Sequence, residues 1–343
     1  MRIIIDAMGG DNAPEQIVKG AVLASAELDV DITLVGDEKK IAPILENSLS
    51  ELPADDRERV KASALVKHTE KVLTMEDDPM SVIKDNRDSS MGLALDTLAQ
   101  GEGDALISAG NTGALLCGST FIVKRIKGIK RAALGGVIPL GKKKLLCDSG
   151  SNAEVKPEYL VQFAMMGSIY MNYVFGVKEP TVALLNNGTE ECKGTEMHKE
   201  AHKLLSESGL NFVGNVEGRE LCSDTCADVV VCDGFSGNVA LKSVEGCGGF
   251  FKGVLAGMFK KNLRTKLAYL LLKNEVADFK KSVDYKENGG APFLGIAKTV
   301  VKAHGSSDAR AIYSTVKQVK ALVEKDLIGE IRRRIEEGSP SNE

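Results

Sequence analysis

Five stretches of this 343-residue chain repeat one pattern, and that repetition restricts the fold more than any other feature. They are RIIIDAMGGDNAPEQIVKGAVLA from Arg2, ALISAGNTGALLCGSTFIV from Ala105, LLCDSGSNAEVKPEYLVQFAMMG from Leu145, VALLNNGTEECKGTEMHKEAHKLL from Val182 and VVVCDGFSGNVALKSVEG from Val229. Each opens on a short apolar, often β-branched run, the signature of a strand buried on both faces. A turn rich in Gly, Asn, Asp and Ser follows, then helical spacing. Repeated strand–turn–helix units predict an α/β fold: a doubly wound, mostly parallel sheet with right-handed crossovers and helices on both faces. Ile32 to Gly36 reads as a further strand, Ser50 to Glu58 as a polar surface loop, and Asp85 to Gln100 as a helix with Ser89 or Ser90 as N-cap. The length permits one large or two medium domains. Residues 1–335 are expected as one catalytic domain, with 338–343 (GSPSNE) a disordered tail.

In such a fold the loops after the strands gather at one edge of the sheet, where ligands bind. The polar turns are therefore expected to line one crevice. Helix N-termini offer unpaired N–H groups and partial positive charge, and glycines let the main chain approach closely, a combination suited to an anion. Gly110-Asn111-Thr112-Gly113 and Gly234-Phe235-Ser236-Gly237 fit that role, although either alone is also an ordinary tight turn. Neither is a P-loop or a dinucleotide fingerprint. Lys193 and Arg87, each beside a turn, are candidate cations, and solvated surface charges are the alternative. Asp6, Asp148 and Asp233 each end an apolar run, where a carboxylate either caps a helix or orients donors. His304, flanked by Gly and Ser, suits a polar site; His68, His198 and His202 read as surface residues.

Composition narrows the function. A net charge of −4 offers no global basic field for nucleic acid. No apolar run reaches the roughly 20 residues of a membrane span, and MRIIIDAMGGD does not read as a signal peptide. Seven cysteines without an export signal read as free thiols in a reducing cytoplasm. Cys222, Cys226 and Cys232 lack zinc-site spacing, so no metal is expected, and no local Cys–His pattern suggests a cysteine nucleophile.

The turns, taken in order, resemble those of the PlsX family, bacterial phosphate acyltransferases. The matching motifs are DAMGGD at Asp6–Asp11, RDSSM at Arg87–Met91, SAGNTG at Ser108–Gly113, NNGTEE at Asn186–Glu191 with Lys193-Gly194, DGFSGN at Asp233–Asn238, GGAP at Gly289–Pro292 and HGSS at His304–Ser307. The resemblance runs from residue 1 to about 325. Asp148-Ser-Gly-Ser-Asn152 departs from the family's Asp-x-Gly-Ala-Asn by Ser151 in place of Ala. It implies a fold similar to isocitrate/isopropylmalate dehydrogenases and phosphotransacetylases, with a helical hairpin extension, and a homodimer.

The implied reaction turns acyl-acyl carrier protein and inorganic phosphate into acyl-phosphate and free carrier, without cofactor, feeding phospholipid synthesis. Phosphate is the nucleophile, so the protein has to seat it beside the thioester and stabilise the oxyanion. Under this resemblance phosphate sits on Gly110, Asn111, Thr112 and Gly113 and on the Ser89-Ser90 helix start, with Asp6, Gly9, Gly10, Arg87, Asn152, Asn187, Gly234, Ser236 and Gly237 contributing to binding. Lys193 neutralises developing charge, Asp233 and Asn238 orient donors, and His304 protonates the leaving thiolate. Acyl carrier proteins are acidic, and Ile122 to Arg131 and Lys142-Lys143-Lys144 supply basic clusters that either receive the carrier or form solvated faces. From about 245 to 286, Phe250, Phe251, Val254, Leu255, Met258, Phe259 and Leu263 alternate with lysines at helical spacing. That pattern fits core or dimer packing, or peripheral contact with a membrane and its acyltransferase. An isocitrate-type NAD(P)-dependent dehydrogenase and a non-catalytic carrier-protein or lipid-binding scaffold are the alternatives.

Overall fold

The computed structural model describes residues 1–138, 140–282 and 289–338. Of the expected tail, 339–343 lie outside the described residues, as do 283–286 of the amphipathic segment. In chain order the elements are β1 (Arg2–Asp6), α1 (Glu15–Leu28), β2 (Asp31–Gly36), α2 (Glu38–Ser50), α3 (Ala54–Ser63), β3 (Leu65–His68), α4 (Ser90–Ala99), β4 (Ala105–Ser108) and α5 (Thr112–Gly118). Next come β5 (Ala133–Ile138), β6 (Lys144–Cys147), α6 (Pro157–Phe175), β7 (Val182–Asn186), α7 (Glu196–Glu207), β8 (Phe212–Glu217) and β9 (Val229–Val231). The chain continues through α8 (Gly234–Lys260), α9 (Leu263–Leu271), α10 (Lys273–Ser282), β10 (Ala291–Leu294), β11 (Thr299–Lys302), α11 (Ala309–Glu324) and α12 (Leu327–Gly338).

Within the span expected as one domain, the chain forms two compact units: residues 1–134, 172–177 and 289–343, and residues 135–171 and 178–288. The first unit carries the strand order β3-β2-β1-β4-β11-β10 followed by the start of β5. Its strands β3, β2, β1, β4 and β11 are parallel, while β10 runs antiparallel to both neighbours. Ile3, Ile4 and Ile5 are all buried, which is why that run shows no alternation. Ile4, Leu95, Leu98, Leu106, Leu115 and Phe293 form one core of this unit. The second unit orders the rest of β5 with β6-β9-β7-β8, parallel except for the β5–β6 pair. Ile138, Leu146, Ala183, Val230 and Val244 pack together in its core. All five repeated stretches thus form strand, turn and helix, and the α/β expectation holds.

Two boundaries differ from the sequence reading. Ser50 to Glu58 is not one loop: α2 runs to Ser50 and α3 starts at Ala54, so the connection is only three residues long. Asp55 and Asp56 occupy the first turn of α3, where carboxylates favour the positive end of the helix dipole. The helix expected from Asp85 begins only at Ser90, because Ser89 takes an extended conformation and caps the Gly92 amide through its hydroxyl. Among the described residues no helix is long and apolar enough to cross a membrane.

Candidate active site

Three neighbouring strands of the first unit end in register on polar residues. Asp6 closes β1 and is paired with Ser108, the last residue of β4, which is paired in turn with Lys302, the last residue of β11. Residues in register on parallel strands share a face, so this row crosses one face of the sheet. All three are buried. Ser108 Oγ donates to Asp6 Oδ2 at 2.7 Å and accepts from the Gly110 amide at 3.1 Å. The Asp6 carboxylate also accepts from the Met8 amide. Lys302 Nζ donates to the carbonyls of Ala109 and Ala303 at 3.2 and 2.5 Å. A carboxylate and an ammonium are therefore held beneath the strand-end loops, each tied to the loop main chain.

The loops themselves pack too closely for side chains. A Cβ on Gly9 would lie 2.6 Å from Asp6 Oδ2 and 2.7 Å from the Gly110 nitrogen. Gly10 has φ +102° and leaves room only for its own backbone between Ala109 and Gly305. The Asp11 amide donates to the Gly305 carbonyl at 2.8 Å, joining the β1 loop to the His304–Ser307 turn. His304 Nδ1 accepts from the Ser306 amide at 3.2 Å and pairs with its hydroxyl at 2.9 Å; with Nδ1 accepting, the neutral ring carries its proton on Nε2.

Several expected ligand groups are engaged internally. Asn111 caps α5: its Oδ1 accepts from the Ala114 amide, and its Nδ2 faces the carbonyls of Thr74 and Met75. Gly113 abuts Pro79. At the Ser89-Ser90 start, the Ser90 amide donates to the Lys71 carbonyl and the Gly92 amide to Ser89 Oγ. Arg87 forms a two-pronged pair with Asp96 at 2.8 and 3.0 Å. What this set leaves without a partner among the described residues is the buried Ser90 hydroxyl and, at the first turn of α5, the Thr112 and Gly113 amides and the Thr112 hydroxyl.

The second unit carries its own loop cluster. Asp148 is fully buried: Oδ1 accepts from the Gly150 and Ser151 amides and the Ser151 hydroxyl, and Oδ2 from the Asn152 amide and side chain at 2.7 and 2.6 Å. The Asn152 carbonyl accepts from the Gly234 amide at 2.7 Å. Asp233 caps α8 by accepting from the Ser236 amide at 2.8 Å. A Cβ on Gly237 would collide with the Asp148 carbonyl, and one on Gly150 would lie 3.5 Å from Asn238. Asn186 holds the next turn through the Lys193 carbonyl and the Asn187 amide, while Lys193 Nζ lies 3.8 Å from Glu190. Asn187 is exposed.

Sequence reasoning overlooked Lys302 and misjudged His198. His198 is half-buried beside Gly194, with Nδ1 2.8 Å from Thr195 Oγ1; burial lowers its pKa while the Asp233 carboxylate opposes that shift. Only the glycine-bearing turn two residues before α7 hinted that this helix face meets a loop cluster. Lys144 corrects a second reading. It is buried, not part of an exposed basic patch, because it opens β6, and its Nζ donates to the Leu140 carbonyl. Burial also pushes the thiols of Cys147 and Cys232 well above the ordinary cysteine range, so neither is poised as a thiolate. No group of three or more metal-ligating side chains occurs among the described residues.

Burial raises the pKa of Asp6, and the Ser108 hydroxyl and loop amides only partly offset this. In the window from the ordinary carboxyl value up to the raised one, the folded chain keeps a proton that the unfolded chain has released. Stability therefore falls as pH rises through that window. Asp6→Asn is expected to remove this slope from unfolding free energies measured by denaturant titration across acidic pH; a variant with the wild-type slope contradicts the assignment.

A family model described as "Fatty acid synthesis protein" matches residues 1–330. A phosphate acyltransferase of Oceanobacillus iheyensis is 45% identical over 338 residues, covering 98% of each chain. One of Acetivibrio thermocellus is 45% identical over 335 residues, covering 97% of this chain and 96% of its own. A phosphotransacetylase structure from Streptococcus pyogenes shares the fold with a TM-score of 0.61 at 15% identity, covering 94% of both chains. With near-complete coverage and this level of identity, the chain belongs to the phosphate acyltransferase (PlsX) family and is an acyltransferase.

Proposed function

We propose that the chain transfers an acyl group from an acyl-loaded carrier protein to inorganic phosphate, supplying acyl-phosphate for phospholipid synthesis. The observation that carries this reading is the Asp6–Ser108–Lys302 row beneath glycine loops whose backbones admit no side chains. Phosphate is seated on the first turn of α5, at Gly110 to Gly113, with Gly9 and Gly10 alongside. A phosphate oxygen attacks the thioester carbon, the carbon–sulfur bond breaks, and the leaving thiolate takes the Nε2 proton of His304, which is replaced by the P–OH proton of the transferred phosphate. In the second unit, Lys193 neutralises developing charge and Asn152, Asn187, Asp233 and Asn238 orient donors; the Asp233 cap and the packing of Asn238 against Gly150 support this. Ser89 and Arg87 are better supported as scaffolding, since their polar groups are largely taken up, whereas the buried Ser90 hydroxyl has no hydrogen-bond partner among the described residues and stays available to phosphate. Holding both reactants in line is worth roughly 7–11 kcal/mol, and one well-placed oxyanion donor about 3–4 kcal/mol. Raised thiol pKa values at Cys147 and Cys232 favour direct attack over a cysteine intermediate. Membership of an acyltransferase family sets aside the dehydrogenase and scaffold alternatives.

Exposed Lys124, Arg125, Lys127, Lys130 and Arg131, anchored by buried Ile126 and Ile129, suit an acidic carrier. Incubation with acyl-carrier protein and labelled phosphate is expected to release carrier thiol only when phosphate is present, with an apparent KM for carrier that rises with salt. Thiol release independent of phosphate would refute the reaction, and a flat salt response would remove the docking surface. The homodimer and peripheral membrane contact are assigned to α8 and α9, where Phe250, Phe251, Leu267 and Leu271 are exposed. Co-sedimentation with anionic liposomes, lost in Leu271→Glu, is the check on the membrane contact; concentration-dependent sedimentation velocity is the check on the dimer.

A further inference from the structure

The helices α8, α9 and α10 of the second unit surround an apolar cavity of about 390 Å³ that the proposed reaction does not use. Leu255, Phe259 and Tyr269 form its half-buried wall, with the two rings 5.5 Å apart, while Lys252, Lys260 and Lys266 stand at its solvent edge. None of these three ammonium groups forms an ion pair among the described residues. We propose that this cavity is a binding site for a free single-chain amphiphile with an anionic head, namely the acyl-phosphate after its release. This rests on the acyl-transfer reading above.

Two physical points select that occupant. The volume falls within the roughly 300–1,000 Å³ of small-molecule pockets. An apolar interior edged by cations matches a hydrocarbon tail ending in an anion, whereas a neutral lipid or a purely apolar partner leaves the lysines without purpose. Acyl-phosphate is a mixed anhydride open to hydrolysis, and a dry tail site holds it until the reaction that consumes it, transfer of the acyl group to an acceptor hydroxyl.

The test uses the full chain and the fluorescent fatty acid cis-parinaric acid, read without background because the chain has no tryptophan. Alkyl phosphates are expected to displace the probe, each added methylene tightening binding roughly fourfold until the cavity is full. They should outcompete fatty alcohols of equal length by about tenfold. Ala256→Phe, which fills the cavity, should weaken binding at least about tenfold with helix content unchanged by circular dichroism. Replacing Lys252, Lys260 and Lys266 by Gln should abolish the head-group preference and keep the length dependence. Wild-type affinity in both variants overturns the proposal, as does probe binding only in the presence of vesicles, or binding that disappears as the chain self-associates, which assigns the groove to a second copy. Phosphate-dependent thiol release by the same wild-type preparation separates the two readings: amphiphile binding without it refutes the acyl transfer alone, and thiol release without binding refutes the cavity alone.

Discussion

Asp148→Ala is expected to lower the midpoint of thermal unfolding by about 10 °C and to abolish acyl-phosphate formation. One buried carboxylate gathers five donors from Gly150, Ser151 and Asn152, and its removal leaves them without this acceptor. Hydrogen bonds to a charged acceptor contribute about 1.5–3 kcal/mol each, and donors left buried without a partner cost a similar amount. These terms do not add in full, because a truncated side chain admits water. A loss of about 4 kcal/mol is the expected order, at about 2–4 °C per kcal/mol for a unit of this size. The damage also spreads. The Asn152 carbonyl holds the Gly234 amide and the Asp148 carbonyl packs on Gly237, so loosening the loop frees the first turn of α8 that Asp233 caps. Asp148→Asn keeps one acceptor oxygen and places an NH2 against the remaining donors, so it should fall between wild type and Ala. A midpoint shift below about 2 °C for Asp148→Ala would mean that water satisfies these amides and that the carboxylate does not organise the loop.

Local chemistry made most of the fold legible. Ile3-Ile4-Ile5 and Val229-Val230-Val231 announce doubly buried strands by composition, and the turns after them announce strand ends. Ser89, Asn111 and Asp233 cap helices where short polar residues precede helical spacing. What was illegible depended on register between distant strands. Lys302 draws no notice in the sequence; only the pairing of β11 beside β4 places it against Ser108, nearly two hundred residues away in the chain. Lys144 failed for the same reason in reverse. Three lysines in a row read as one charged patch, but the strand pairing of Lys144 with Ile138 takes it inside while Lys142 stays at the surface with Asp228. Asn111 shows a third limit: it was expected to face phosphate, and residue type gave no sign that its amide nitrogen would donate to the Thr74 and Met75 carbonyls.

Lys302→Met is expected to reduce kcat/KM for phosphate-dependent acyl transfer by at least about 100-fold, within the range for losing one preorganised electrostatic contact. The ammonium is buried one residue behind the Gly110–Gly113 turn and donates to the Ala109 carbonyl, so it both fixes that turn and sets a positive field beneath it. Solvent screening of this field is weak because the group is buried, unlike that of half-exposed Lys193 or the Asp96-paired Arg87. The substitution removes the charge while nearly preserving the stem's volume, and it leaves the Ala109 and Ala303 carbonyls without this donor, a stability cost of about 2 kcal/mol. Fold damage and lost field are separable. If Lys302 acts only as a clamp, activity at temperatures well below unfolding should stay near wild type once the Lys302→Met protein is shown folded by circular dichroism. If the charge acts on phosphate, the KM for phosphate should rise and kcat fall together at those temperatures, and Lys302→Arg, which keeps the charge but forks its donors, should recover part of kcat. Near-normal turnover in the folded Lys302→Met protein would leave the Asp6–Ser108–Lys302 row with a structural role alone and would shift the search for the phosphate-binding cation to the second unit.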